Sequence, residues 1–101
     1  MRSYPNPAVQ DIRLHSVLFA LSDPTRLAIV TGLIDGREVT SGELGDSLSR
    51  STVSHHLKIL REAGITRTRT EGTRCYISLR RDDLEARFPG MFEMVLKYAR
   101  E

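Results

Sequence analysis

The side chains best suited to ligand chemistry lie in one short run, Arg50-Ser-Thr-Val-Ser-His-His-Leu-Lys58. At helical spacing, Ser51, Ser54, His55 and Lys58 share one face, with Arg50 and Thr52 at its edges. Short hydrogen-bonding groups thus stand at a helix start, and a cation follows one turn later. A merely solvated face would favour long helix formers such as Glu, Lys and Gln. Short polar groups let a helix end approach a surface closely and bond to it. The DNA major groove is such a surface, where residues at helix N-termini read base edges. Ser51, Thr52, Ser54 and His55 are therefore candidates for base contact, and Arg50 and Lys58 for phosphate contact. A surface helix with capping serines would explain this run alone equally well.

The element that must hold these groups is a helix from Ser49 to Gly64, marked at both ends. Ser49 is a good N-cap and Gly64 suits the left-handed position past the last turn. Val53, Leu57 and Leu60 form its buried stripe, widened by Ile59 and Ala63. His56 lies beside that stripe and is assigned to packing. Adjacent helical residues diverge, so a His55–His56 metal pair is not expected. Before this helix, Thr40-Ser-Gly-Glu43 has capping-box spacing and opens a short helix with Leu44 and Leu48. Gly45 on its inner side permits a close crossing, and Ser47 to Ser49 forms the turn. Residues 40–64 thus read as a helix-turn-helix.

Two strands rich in Thr, Ile and Tyr follow, Ile65–Thr70 and Arg74–Leu79, joined by Glu71-Gly72-Thr73. This hairpin, residues 65–79, is expected to be a wing. Cys75, Ile77 and Leu79 should face inward by period two. Arg67 and Arg69 share a face, with Arg74 near the tip, and all three are candidate phosphate contacts.

The flanking segments supply the core and a subunit contact. Asn6-Pro7 reads as the start of a long helix to about Leu21, with Val9, Ile12, Val17, Leu18 and Leu21 on its stripe. Leu14 and Phe19 fall off it. Asp23-Pro24 starts a second helix to about Ile34, and Asp35-Gly36 ends it. Arg37-Glu38-Val39 is a short extended piece. Asp82-Asp83 is expected to cap a short turn, Leu84 to Phe88, which Pro89-Gly90 breaks. Met91, Phe92, Val95, Leu96 and Ala99 form a stripe on a final helix. A terminal helix this apolar in so small a domain fits a subunit contact. The expected dimer interface is Val9, Ile12, Met91, Phe92, Val95, Leu96 and Ala99, drawn from residues 1–21 and 82–101.

Composition sets bounds. The length fits one domain covering 1–101. No apolar run could span a membrane, and Met1 to Pro7 lacks the apolar core of a signal peptide. One cysteine excludes an internal disulfide. A cytoplasmic protein is the expectation. Net charge is only +2, but Arg50 to Arg81 holds eight basic residues against two acidic, a net of +6. Such asymmetry fits a polyanion-binding face. No phosphate loop, nucleophile elbow or activated Ser or Cys is present, so an enzyme has no support. No cofactor is implied.

Asp23-Pro-Thr-Arg-Leu27, the run Ser51 to Gly64, and Arg69-Thr-Glu-Gly72 to Tyr76 together resemble the ArsR-type family of small winged-helix repressors. The resemblance spans roughly Leu18 to Leu79. It implies a mainly α fold with a β-hairpin wing, a dimeric winged helix-turn-helix. It also implies an inverted-repeat DNA operator, a homodimer joined through first and last helices, and repression of transcription. Many relatives carry a Cys-x-Cys metal site where this chain has Thr40 and Gly42, neither a soft ligand. Others carry Asp and His ligands on the last helix, whereas Leu84 to Glu101 has no His or Cys. Metal sensing through those sites is not expected. The inducing signal is left open, either a small-molecule effector in the dimer groove or none. The alternative reading is a winged-helix protein-interaction module that binds no DNA.

Overall fold

A computed structural model of the chain describes residues 4–44 and 48–99. After a single 3₁₀ turn at Val9–Asp11 come α1 (Leu14–Leu21), α2 (Pro24–Gly32), β1 (Val39–Thr40) and α3 (Ser41–Leu44). Then follow α4 (Arg50–Glu62), β2 (Thr66–Glu71), β3 (Arg74–Leu79), α5 (Arg81–Arg87) and α6 (Met91–Tyr98). This is a winged helix-turn-helix, mainly α with a small antiparallel sheet. The expected Gly45 crossing and the Ser47 end of the turn lie outside the described residues.

Helix α4 forms as its local signals dictate. The Ser49 hydroxyl accepts from the Thr52 N–H at 3.2 Å, satisfying one donor orphaned at the helix start. Gly64 takes φ +84° past the end. Val53, Leu57 and Leu60 are all buried. Leu60 and Ala63 join the main core with Val17, Val30, Ile65, Leu84 and Phe92. Val53 and Leu57 enter a second cluster with Leu33, Val39 and Ile77. Burying each of Val53, Leu57 and Leu60 contributes roughly 1.5–3 kcal/mol. The N-terminal half of α4 is thereby seated on the sheet and its C-terminal half on the helices.

The sheet order is β1-β3-β2, with Thr68 opposite Ile77 and Val39 on its other side. The expected hairpin is present and gains a third strand. Gly72, at φ +62°, makes the turn. Ile77 is buried and Cys75 and Leu79 partly so, but Tyr76 and Ser78 on the other face are partly covered too, so burial along β3 does not alternate.

Three expectations need correction. The helix from Asn6 to Leu21 is interrupted, because Ile12 and Arg13 are extended. Asn6 does not cap it; its Oδ1 accepts from the Thr68 N–H at 3.4 Å. Ile12 drives the break, since its side chain is buried against Gly64 and a straight helix would not carry it there. Leu18, expected on the stripe, is exposed, and Val17 and Ala20 are the buried positions of α1. Asp82 and Asp83 lie inside the first turn of α5, whose N-cap is Arg80; there they complement the helix dipole.

Candidate nucleic-acid interface

Of the groups expected to read bases, Ser51, Ser54 and His55 are exposed on one side of α4. Thr52 is partly buried, and its hydroxyl lies 2.7 Å from the Ser49 hydroxyl. It therefore serves the cap as well as the surface. Ser51 is 3.3 Å from the same oxygen. Arg50 is exposed, and it shares a groove with Ser54 and with Thr73 of the wing turn. The fold thus brings the start of the recognition helix and the wing tip to one concave surface. Thr73 carried no signal in sequence beyond its place in a turn.

The cations divide into two groups. Arg74 is exposed at the wing tip and, with Arg50, has no ion pair among the described residues. Lys58 is exposed, with Glu62 at 4.0 Å in a loose i, i+4 pair, worth little in water. Arg69 is engaged: Glu38 takes two hydrogen bonds from it at 2.8 Å each, and Glu71 a third at 3.0 Å. Its guanidinium also lies 4.5 Å over the Tyr76 ring. The hydrogen bond from Arg69 holds the Glu38 carboxyl below its ordinary pKa, and the two carboxylates raise that of Arg69. Arg67 approaches Asp83 at 3.7 Å. The +6 segment therefore presents fewer unpartnered charges than its sequence suggests. Arg69 binds the wing to the residue before β1 instead of standing free for phosphate.

Support for α4 comes from a residue that sequence patterning treats as surface. Arg26 is buried, and its Nε donates to the Ala20 carbonyl at 2.7 Å. Its Nη2 reaches the Phe19 carbonyl at 3.4 Å, and Nη1 lies 3.2 Å from His56 Nδ1. His56 thus turns away from the exposed face of α4 and meets the Arg26 guanidinium. Asp23 caps α2 by accepting from the Arg26 N–H at 3.0 Å, which lowers its carboxyl pKa.

Among the expected dimer residues, Ile12, Met91, Phe92 and Val95 lie within the subunit's own core. Leu96 stays exposed, while Val9 and Ala99 are partly buried. The large apolar side chains that α1 and α6 present to solvent are Leu14, Leu18 and Phe19, and Met94, Leu96 and Tyr98. No helix among the described residues is long and apolar enough to cross a membrane.

Comparison with known proteins agrees with this geometry. A helix-turn-helix domain family matches residues 21–69. The HTH-type transcriptional regulator YceK of Bacillus subtilis is 41% identical over 87 residues, covering 82% of this chain and 87% of that one. The transcriptional repressor SdpR of the same organism is 31% identical over 86 residues, covering 83% and 94%. Among solved structures, HlyU from Vibrio cholerae superposes with a TM-score of 0.71 at 30% identity, covering 86% and 91%. An ArsR family regulator, RHA00566, gives 0.67 at 25%, covering 80% and 90%. YceK and SdpR carry the names of transcriptional regulators, and the matched helix-turn-helix domain spans α2, α3 and α4. The chain belongs to the ArsR-type family of winged helix-turn-helix, DNA-binding transcriptional regulators.

Proposed function

We propose that the chain acts in the cytoplasm as a homodimeric repressor that recognises an inverted-repeat operator. One observation carries the reading of the surface: the first two turns of α4 expose Arg50, Ser51, Ser54 and His55, while Val53 and Leu57 lock the opposite side to the core. Ser51, Thr52, Ser54 and His55 are assigned to base edges in the major groove. Arg50, Lys58 and Arg74 are assigned to phosphates. Arg67 and Arg69 contribute mainly by fixing the wing.

Dimerisation is assigned to the surface of α1 and α6 that the core leaves uncovered. Leu14 and Leu18 stand one turn apart, as do Met94 and Tyr98, so each pair shares a helix face. Leu96 lies on the far edge of the buried Met91–Phe92–Val95 stripe from that pair. Apolar faces of this kind are characteristic of subunit contacts. The dimer then presents two recognition helices to two half-sites.

Binding to a library of duplexes, followed by titration of the selected site, tests the reading. Combined Ser54→Ala and His55→Ala should cost about 1–3 kcal/mol per lost base contact and relax specific operator positions. Unchanged affinity and base preference would refute the assignment. Leu18→Glu with Met94→Glu should shift sedimentation from dimer to monomer. A monomeric parent protein would refute the dimer.

A further inference from the structure

We propose that the cavity between α4 and the wing is a binding site for a small organic carboxylate with a compact apolar body, and that its occupant competes with DNA. The competition rests on the DNA reading above; the binding itself does not.

The cavity has a volume of about 220 Å³. An apolar protein cavity of about 150 Å³ suffices for benzene, so this one has room for an arene bearing a carboxylate. Its apolar wall comes from Leu57 and Ile77, with Tyr4 of the N-terminal segment on one side. Its polar wall holds two cations, Lys58 and Arg61, and no acidic residue among the described ones. That combination selects an anion over a cation and an amphipathic anion over a fully hydrated one.

The Arg61 side chain gives the independent sign of a missing partner. No acceptor among the described residues takes a hydrogen bond from its guanidinium; Nε is sealed within the protein, and the terminal Nη groups are the donors open to an occupant of the cavity. The guanidinium lies 5.0 Å over the Tyr4 ring, which holds it in place without satisfying its donors. A guanidinium presents donors in a planar fork matched to a carboxylate. Lys58 adds a second charge from the same helix, one turn back. Nothing in the proposed operator contacts requires Arg61, which is only partly exposed.

Position supplies the consequence. Lys58 and Ser54 line this cavity and also belong to the exposed face of α4. A carboxylate drawing on Lys58 neutralises a charge assigned to a DNA phosphate, and its body lies beside Ser54. Ligand and operator then disfavour one another by the same factor in both directions. This site lies within one subunit, between α4 and the wing.

Calorimetric titration of the 101-residue chain with benzoate, without DNA, tests the site. Benzoate should bind at one site per subunit, and its neutral isostere benzamide about tenfold or more weakly. Arg61→Gln should weaken benzoate about tenfold, with circular dichroism checking the fold. If that variant does not fold, Lys58→Gln, at an exposed position, should weaken benzoate in the same direction. Absence of saturable benzoate binding, equal binding of benzamide, or no effect of a folded variant would overturn the site. In gel shifts, benzoate should raise the apparent Kd of the parent protein for its operator and do so far less for Arg61→Gln. An operator affinity indifferent to saturating benzoate would overturn the competition. Failure to bind any duplex without benzoate would instead refute the DNA reading, and the calorimetric result would still decide the site.

Discussion

Arg26 Nη1 lies 3.2 Å from His56 Nδ1, joining the first turn of α2 to the middle of the recognition helix. An arginine has no acceptor, so the imidazole must accept, and a neutral His56 carries its proton on Nε2. The same guanidinium bonds the carbonyls of Phe19 and Ala20 in the last turn of α1. The Phe19 carbonyl also accepts from the Ser22 N–H at 3.1 Å and from the Ser22 hydroxyl at 2.6 Å, so Arg26 matters most to the Ala20 carbonyl, and a cation there complements the helix dipole. One buried side chain thus closes α1 and steadies α4.

Arg26→Met should therefore destabilise the protein by about 2–3 kcal/mol, because it strands the Ala20 carbonyl as well as losing the bond to His56. Arg26→Lys should recover only part of this, since one ammonium cannot span the Ala20 carbonyl and the imidazole together. Urea unfolding measures both. Nitrogen NMR of the imidazole should report the Nε2–H tautomer for neutral His56. The opposite tautomer, or an Arg26→Met variant as stable as its parent, would remove this account.

The wing arginines call for a different measurement, the salt dependence of duplex binding. Each phosphate contact contributes about 0.9 to the slope of log K against log salt. Arg74→Ala should lower the slope by about that amount, whereas Arg69→Ala should leave it nearly unchanged. Arg69 is already held by Glu38 and Glu71. Glu38→Gln weakens that hold and should raise the slope. Equal losses for Arg69→Ala and Arg74→Ala would show that Arg69 leaves its carboxylates when DNA binds.

These cases show which parts of the site were legible in sequence. Both ends of α4 and its buried stripe rest on residues within a few positions of one another, and they formed as read. The wing strands rest on local alternation and a glycine turn, and they formed too. The pairing of Arg69 with Glu38 spans 31 positions, and helical i, i+4 rules give no notice of it. The break at Ile12 has the same origin. Asn6-Pro7 is a sound local start signal, but Thr68 takes the asparagine and Gly64 receives the isoleucine. Arg26 stands in the Asp23–Leu27 run, but patterning counts an arginine as surface and gives no notice of the two carbonyls and the imidazole it meets inside.

Acid should loosen the link between Glu38 and the wing. Arg69 holds the Glu38 pKa below its ordinary 4.5. A carboxyl depressed on folding stabilises the native state above its unfolded value. That contribution is lost as pH falls through the folded value. The stability difference between the parent and Glu38→Gln should thus be level at neutral pH and shrink only below about 4.5. Urea midpoints of the two proteins at descending pH measure it. A difference that grew on acidification would reverse the sign and refute the pairing.

Gly64 fixes where the recognition helix stops and where the N-terminal segment docks. Its φ of +84° is one that a side chain rarely adopts, and a Cβ there would stand 2.5 Å from Ile12 Cγ1 and 2.8 Å from Cδ1. Ile12 is fully buried and stiff at its branch point, so it cannot simply turn aside. Gly64→Ala should cost about 2–4 kcal/mol, from left-handed strain together with overpacking. Gly32, with nothing within 4 Å of an added Cβ, provides the contrast. Gly32→Ala should be neutral or stabilising by about 0.5–1 kcal/mol, since it closes α2 in ordinary helical geometry. Ile12→Ala removes the colliding methyls, so the double variant Ile12→Ala, Gly64→Ala should be less destabilised than the sum of its parts. Thermal unfolding of the four proteins completes the cycle. Simple additivity would mean that the strain at Gly64 is purely one of backbone conformation and that Ile12 does not press on it.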